Sequence, residues 1–339
     1  MKKFIALLMA ALMVFGMAAC TSSNEPAAEP ETGSEGEAET AAWAPSGSID
    51  FVCPYSAGGG SDVCARTIAD VMSGYTDSTA VVQNLSGGGG LVGTSYVFGK
   101  AGDNMTLCTY APGQLSAAIV QDAECQWDAI TQICLLATEE QTLVVQPGKF
   151  KDLNDLIEYS KAHPGEVTIA GTTIGNEDHM CVEMLNRVAG ANITYVTYDS
   201  AGDIMTALLG GHITGGICNP SEDSAQVNSG DVDCLCSFGA NDIHYITGFE
   251  NVPTAKSFGY DIDFVMFRGV AGPPGMSDEA VAYWVDLFSK VAQDPKWTDD
   301  YIGSKGLTPA FMSGDELKAF MQAQYDAYYE LEKEVGLIN

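Results

Sequence analysis

Cations are what this sequence has least of. It carries 15 Lys and Arg against 45 Asp and Glu, a formal net charge of −30 at neutral pH. The acids are spread along the chain and do not form a tail, so they read as a solvated surface. Nucleic acid is excluded as a partner, because phosphate binding needs clustered Lys and Arg. The fixed charge also opposes an approaching anion, so an anion site has to be shielded locally or built from backbone dipoles. Histidine is equally scarce, at 4 residues. No G-x-S-x-G elbow occurs, and Ser61 beside Asp62 lacks a matching base and orienting group, which speaks against an exported hydrolase. The pair Cys234 and Cys236 would share one face of a strand, but without two-residue spacing or a second ligand pair it does not read as a metal site. The chain is read as a non-enzyme with no cofactor and no metal.

Beyond the first segment there is no long apolar run. Met1-Lys2-Lys3, an apolar stretch from Phe4 to Met17, and Ala18-Ala19-Cys20 have the form of a bacterial signal peptide, too short for a membrane span. The cysteine after small residues resembles a lipobox, which implies a lipidated Cys20 and a protein held on the outer face of the membrane. The alternative is an ordinary secreted chain cut near Ala19. Residues 20–45 are rich in Glu, Ala, Ser, Thr, Gly and Pro and read as a flexible acidic linker. Of ten cysteines, one assigned to lipid leaves nine, an odd number for a disulfide set. Cys53, Cys64, Cys108, Cys134, Cys181 and Cys218 sit in apolar runs or on helix faces, as small buried hydrophobes do.

From Ile49 onward strands and helices alternate. Strands are expected at 49–54, 80–84 and 105–112, with two more short ones within 130–148. Helices are expected at 62–72, from about Leu91, and over the segment KDLNDLIEYSKAHPG. The pattern repeats with strands in EVTIAG, ITYVTY, HITGGICN and VDCLCSFG, and helices within TTIGNEDHMCVEMLNRVAG and DSAGDIMTALLGG. Helices over 278–292 and 314–334 close the chain. Such alternation predicts α/β lobes of parallel sheet covered by helices.

Two glycine runs, Gly58–Gly60 and Gly87–Gly90, leave strands and open helices. Ligands of open α/β folds bind outside the carboxyl ends of strands, and helix N-termini offer free N–H groups to an anion. The two loops therefore suggest a backbone-lined pocket for a carboxylate or phosphate, or else a loose surface loop at Gly87–Gly90. Gly88, Gly90 and Gly93 also satisfy G-x-G-x-x-G, the basis of an exported nucleotide-binding enzyme as an alternative. No acidic residue ends the following strand where a ribose partner belongs.

The stretch VCPYSAGGGSDVCAR resembles the first strand–loop–helix motif of the Bug family, the extracytoplasmic solute receptors of tripartite tricarboxylate transporters, through Pro54, Tyr55, Gly58, Gly59 and Asp62. NLSGGGGLVG, AGTTIGNEDHMCVEML, YVTYDSAGDIMTALLGGHITGGICNPS, NVPTAKSFGYDI and FRGVAGPPGMSDEAV resemble later family segments in order. The resemblance implies a two-lobed, type II periplasmic-binding architecture with a hinge between Rossmann-like lobes, here 46–143 with 262–339 and 144–261. It implies a monomer that closes on a small carboxylated solute, a di- or tricarboxylate or an amino acid, and presents it to membrane transporter subunits, or else an orphan solute sensor. Carried over by motif, the ligand contacts are Tyr55, Ala57, Gly58, Gly60, Asp62, Gly89 and Gly90 from the first lobe. The second lobe contributes Thr172, Thr173, His179, Tyr198 and Asn219. Asp62 reads equally as a helix cap, His179 as a locally bonded helix residue, and Tyr55 and Tyr198 as core-edge aromatics. Two departures bear on the ligand: Asp199 replaces the family's usual lysine, and Asn219 a usual aspartate. If Asp199 or nearby Asp203 faces the cleft, an amine-bearing solute becomes attractive. Hinge strands are expected near 142–146 and 257–264.

Overall fold

The computed structural model describes residues 43–172, 174–198, 200–239, 243 and 246–339. The signal segment, Cys20 and residues up to 42 lie outside the described residues, as do Thr173 and Asp199.

β1 (Ser48–Cys53) pairs in parallel with β2 (Thr79–Asn84) through α1 (Gly60–Met72). Cys64, Ala65, Ile68, Val71 and Met72 recur at helical spacing on α1, and that stripe is the face it buries. β3 (Thr106–Tyr110), buried throughout, takes the other side of β1 in parallel after α2 (Leu91–Phe98) and leads into α3 (Pro112–Val120). The second lobe repeats this unit. β6 (Thr168–Gly171) pairs in parallel with β7 (Thr194–Thr197) through α5 (Glu177–Ala189), and with β8 (Gly215–Cys218) after α6 (Ala201–Leu209). β8 leads into α7 (Pro220–Ser229). Both lobes thus place their first and third strands side by side inside a sheet.

The sheets are mixed, not parallel as the alternation predicts. β4 (Thr131–Glu140) runs straight across into β5 (Thr142–Val145), with Gln141 between them, and the chain returns from β9 (Asp233–Ser237) to β10 (Val265–Gly272). β5 is antiparallel to β8 and β9, and β10 is antiparallel to β3 and β4. The reason is topological: a strand that crosses between lobes enters its sheet from the hinge side, opposite to strands laid down by helical crossovers. With β11 (Thr308–Met312) on one edge, the sheet orders are β11-β4-β10-β3-β1-β2 and β7-β6-β8-β5-β9. The crossovers are joined to each other: Phe238 N–H donates to Gln141 O and Phe264 N–H to Phe238 O, both at 3.0 Å. The first crossover therefore sits at Gln141, just before the expected 142–146, which is β5 and the residue after it.

α8 (Asp278–Val291) covers the first sheet with Trp284, Leu287, Phe288 and Val291 buried. α9 (Gly314–Glu334) packs on α3 and β4 of the first lobe and on α5 of the second. The nine cysteines of the described residues are all free, and all but Cys234 are buried. Burial pushes the thiols of Cys64, Cys108, Cys134, Cys181, Cys218 and Cys236 up, Cys108 to about 12, as expected of small apolar side chains. Trp43, near the end of the stretch read as linker, packs edge-on against Tyr283 and Trp284 with centroids 5.5 and 5.7 Å away. The folded body thus takes in this residue. Trp43→Ala is expected to lower the unfolding free energy by about 1 kcal/mol, the scale of an aromatic pair, measured by urea denaturation; no change would mean that these rings contribute nothing.

Candidate functional site

Four helices start at the carboxyl ends of the central strands: α1 after β1, α3 after β3, α5 after β6 and α7 after β8. Their first turns face one cleft of about 940 Å³ between the lobes. Gly59, Gly60 and Ser61 line it from α1, and Ala111 and Gly113 from α3. Across the cleft stand Asn176 and Glu177 of α5, and Asn219 and Ser221 of α7. Each N-terminus carries unpaired N–H groups and a partial positive charge.

The two α1 and α5 entry loops are fastened by the same device, an aspartate in the first helical turn. Asp62 accepts from Gly58 N–H at 2.8 Å, from Asn84 Nδ2 at 2.8 Å and from Arg66 at 2.9 Å. The Arg66 hydrogen bonds above all hold its carboxyl well down, at about 2 against an ordinary 3.8. Asp178 accepts from Thr172 N–H and Oγ1, both at 2.8 Å, and from Asn176 Nδ2 at 3.0 Å. Neither carboxylate lines the cleft; each shapes the loop that does.

The second glycine run is backbone-driven. Gly87–Gly90 all have positive φ, from 59° to 136°, a left-handed path that side-chain-bearing residues rarely take. A Cβ on Gly90 would also stand 2.6 Å from Gln114 Cγ. Gln114 in turn caps α3, accepting from Ala111 N–H at 2.9 Å. Gly90 is therefore buried support for the cleft, while Gly89 reaches its wall.

Tyr55, Gly58, Gly60, Gly89, Thr172 and Asn219 of the motif-based set are brought together on the cleft. Ala57 is exposed on the loop tip, away from the lining. His179 stands behind the second-lobe loop: its Nδ1 accepts from Gly175 N–H at 3.1 Å, Nε2 is 3.5 Å from Glu183, and its ring stacks on Tyr195 at 4.4 Å. Tyr198 packs with the apolar cluster around α6, its N–H bonded to Gly171 O. Asp203 is exposed and bonded to Ser200, away from the cleft.

Motif reading missed the charged groups of the cleft. Arg268 Nη2 lies 2.6 Å from Glu139 and, through Nη1, 3.4 Å from Ser61 Oγ. Burial works against the guanidinium charge and Glu139 more than restores it. Glu139 also accepts from Ser221 Oγ of the other lobe at 2.5 Å. Glu177 and Glu222 line the second-lobe wall. Arg268 and Glu177 fall inside stretches that carry motifs, but nothing in local spacing shows that residues 139 and 268 meet. A second link joins the lobes at the cleft edge. The Ser116 hydroxyl lies 2.6 Å from Gly175 O and 2.5 Å from Glu332 Oε1, two acceptors for one proton. Burial pushes the Glu332 carboxyl up to about 7, toward the neutral form that can donate to Ser116 in place of accepting from it.

Residues 64–337 match the family described as tripartite tricarboxylate transporter family receptor, TctC. BugT of Bordetella pertussis is 26% identical over 299 residues, covering 86% of this chain and 90% of BugT. The crystal structure of a TctC solute binding protein from Polaromonas superposes with a TM-score of 0.76 at 22% identity, covering 86% of this chain and 99% of that one. MatC from Rhodopseudomonas palustris, with bound malate, superposes with a TM-score of 0.69 at 20% identity over 85% of this chain and 99% of its own.

The Asp62 geometry has a pH signature. Because its folded carboxyl is held low, its contribution is complete above the ordinary range and is lost as pH falls through the folded value. Asp62→Asn is expected to melt below wild type at neutral pH, and the two melting curves to converge between about pH 4 and pH 2. A gap that persists at the acid end would deny Asp62 this role.

Proposed function

The chain belongs to the tripartite tricarboxylate transporter receptor family, and from that premise we propose that it is an extracytoplasmic receptor, anchored through a lipid on Cys20, that closes its lobes around a small carboxylated solute and hands it to a membrane transporter. Solute-binding receptors, not enzymes, make up this family. The reading assigns residues 1–19 to a signal peptide and 20–45 to anchor and spacer. It assigns 46–143 with 262–339 to one lobe and 144–261 to the other.

The observation that carries the proposal is the meeting of four helix N-termini on one cleft in a chain of net charge −30. Backbone dipoles supply positive potential where side chains supply little, and a carboxylate is the simplest group that uses it. Tyr55, Gly58, Gly60 and Gly89 are the proposed first-lobe contacts, and Thr172 and Asn219 those of the second. Ala57, Asp62, Gly90, His179 and Tyr198 act through the loops they hold or border. Malate in MatC is consistent with such a ligand class. Met266, Leu307 and Val63 give the solute's carbon skeleton apolar wall.

Closure requires that ligand touch both lobes, since only differential affinity for the closed form shifts the equilibrium. Gln141 and the Phe238–Phe264 pairing are the proposed hinge.

Two measurements test this reading. Gly59 lines the cleft with an extended backbone, and a Cβ there meets only Ser56 O at 3.5 Å. Gly59→Val is therefore expected to fold normally and to weaken carboxylate binding at least about tenfold by calorimetry. Unchanged affinity would remove the cleft from consideration. Saturating ligand is expected to reduce the radius of gyration in solution scattering; an unchanged profile with bound ligand contradicts closure.

A further inference from the structure

The four N-termini are not equivalent. In the first lobe, α3 carries no acidic residue in its opening turn, and the only acid of the α1 opening turn, Asp62, is turned away onto Gly58, Asn84 and Arg66. Those dipoles reach the cleft uncancelled. In the second lobe, α5 opens with Glu177 and Asp178, and α7 has Glu222 and Asp223 in its first turn. Glu177 and Glu222 face the cleft while Asp178 and Asp223 lie buried behind them. The cleft is thus polarised across its width: anion-seeking on the first lobe, carboxylate-bearing on the second.

The cations do not undo this. Arg268 is already paired with Glu139, and among the described residues Lys305 is the one other cationic residue on the wall, against Glu139, Glu177 and Glu222. A dicarboxylate spanning the cleft would bring its second charge onto Glu177 and Glu222.

We propose that the solute carries a cationic nitrogen as well as a carboxylate, the carboxylate seated on the first-lobe N-termini of α1 and α3 and the nitrogen between Glu177 and Glu222. This deepens the receptor reading and rests on it. It also places amine selectivity on two glutamates at helix starts and not on Asp203, which is exposed and bonded to Ser200.

A pH dependence follows from the same walls. Glu177 faces Asp178, Glu222, Arg268 and the Tyr55 and Tyr328 phenols. Glu222 faces Glu139, Asp178, Asp223 and Arg268, and Lys305 shares the cleft. Burial first, then these neighbouring acids, pushes the Glu177 carboxyl up; Glu222 is exposed on the wall, where neighbouring Glu139 and Asp178 push its carboxyl in the same direction. A cation bound between them favours their ionised forms and expels protons, so its affinity rises with pH through neutrality; an added anion does the reverse.

The test uses the intact folded protein and chain-length-matched pairs: succinate with 4-aminobutanoate, glutarate with 5-aminopentanoate, adipate with 6-aminohexanoate, together with lysine and glutamate. Each is titrated by thermal shift up to about 10 mM, with calorimetry on those that shift. The expected result is that an ammonium-bearing member binds at least about tenfold more tightly than its dicarboxylate partner. Its affinity should rise between about pH 6 and pH 8 with proton release. Glu177→Gln and Glu222→Gln should each lose that preference while still binding the carboxylate end. Preference for the dicarboxylate, or an amine preference that both variants retain, overturns this inference and leaves the receptor reading standing. Silence across the whole panel overturns both.

Discussion

In the proposed function a carboxylate has to be desolvated beside a protein that is itself strongly anionic, and that constraint accounts for the way the cleft is built. Lysine and arginine could supply the counter-charge, but the buried guanidinium that lines the cleft, Arg268, is already matched by Glu139. What remains is the partial charge of helix starts, which a fold can aim without adding side chains. The repeated strand–helix unit does this twice: by setting β1 beside β3 and β6 beside β8, it brings two helix starts from each lobe to one crevice. The mixed strand directions, the crossover at Gln141 and the bridging helix α9 follow from joining two such units face to face.

The loops themselves show a division of labour. Gly58, Gly60 and Gly89 leave the backbone bare on the cleft, while Asp62, Asp178, Gln114 and His179 sit one layer back and hold that backbone in shape. Asp62 and Asp178 in this position are each worth more than a single bond, because each carboxylate fixes several donors at once. It also explains why acidic residues occur next to an anion-seeking site without spoiling it: Asp62 spends its charge on Arg66 and Asn84.

Much of the fold is legible in the sequence because periodicity is local. α9 spans 314–334, the expected range, and the strands of both repeated units fall where the apolar runs place them, within a residue or two for most. The elements that escaped have physical reasons. α7 reads PSEDSAQVNS, with little apolar stripe to betray it, and α3 begins with Pro-Gly, a turn signal that here marks the first helical position. β10 carries Arg268 and Gly269 in mid-strand, which hides it from a search for hydrophobic runs. The site was legible to the extent that it is backbone: glycine loops announce themselves. Its charges were not, since Glu139 and Arg268 stand 129 residues apart and meet only through the pairing of β4 with β10.

The central claim is that ligand lies between the lobes with its charges sorted by wall. A crystal structure of the protein grown with its strongest-binding solute tests this most directly. The solute carboxylate is expected within hydrogen-bonding distance of the α1 and α3 starts near Gly59–Ser61 and Gly113, with any nitrogen toward Glu177 and Glu222. A solute bound outside the cleft, or one whose carboxylate is held by the second lobe alone, would contradict it.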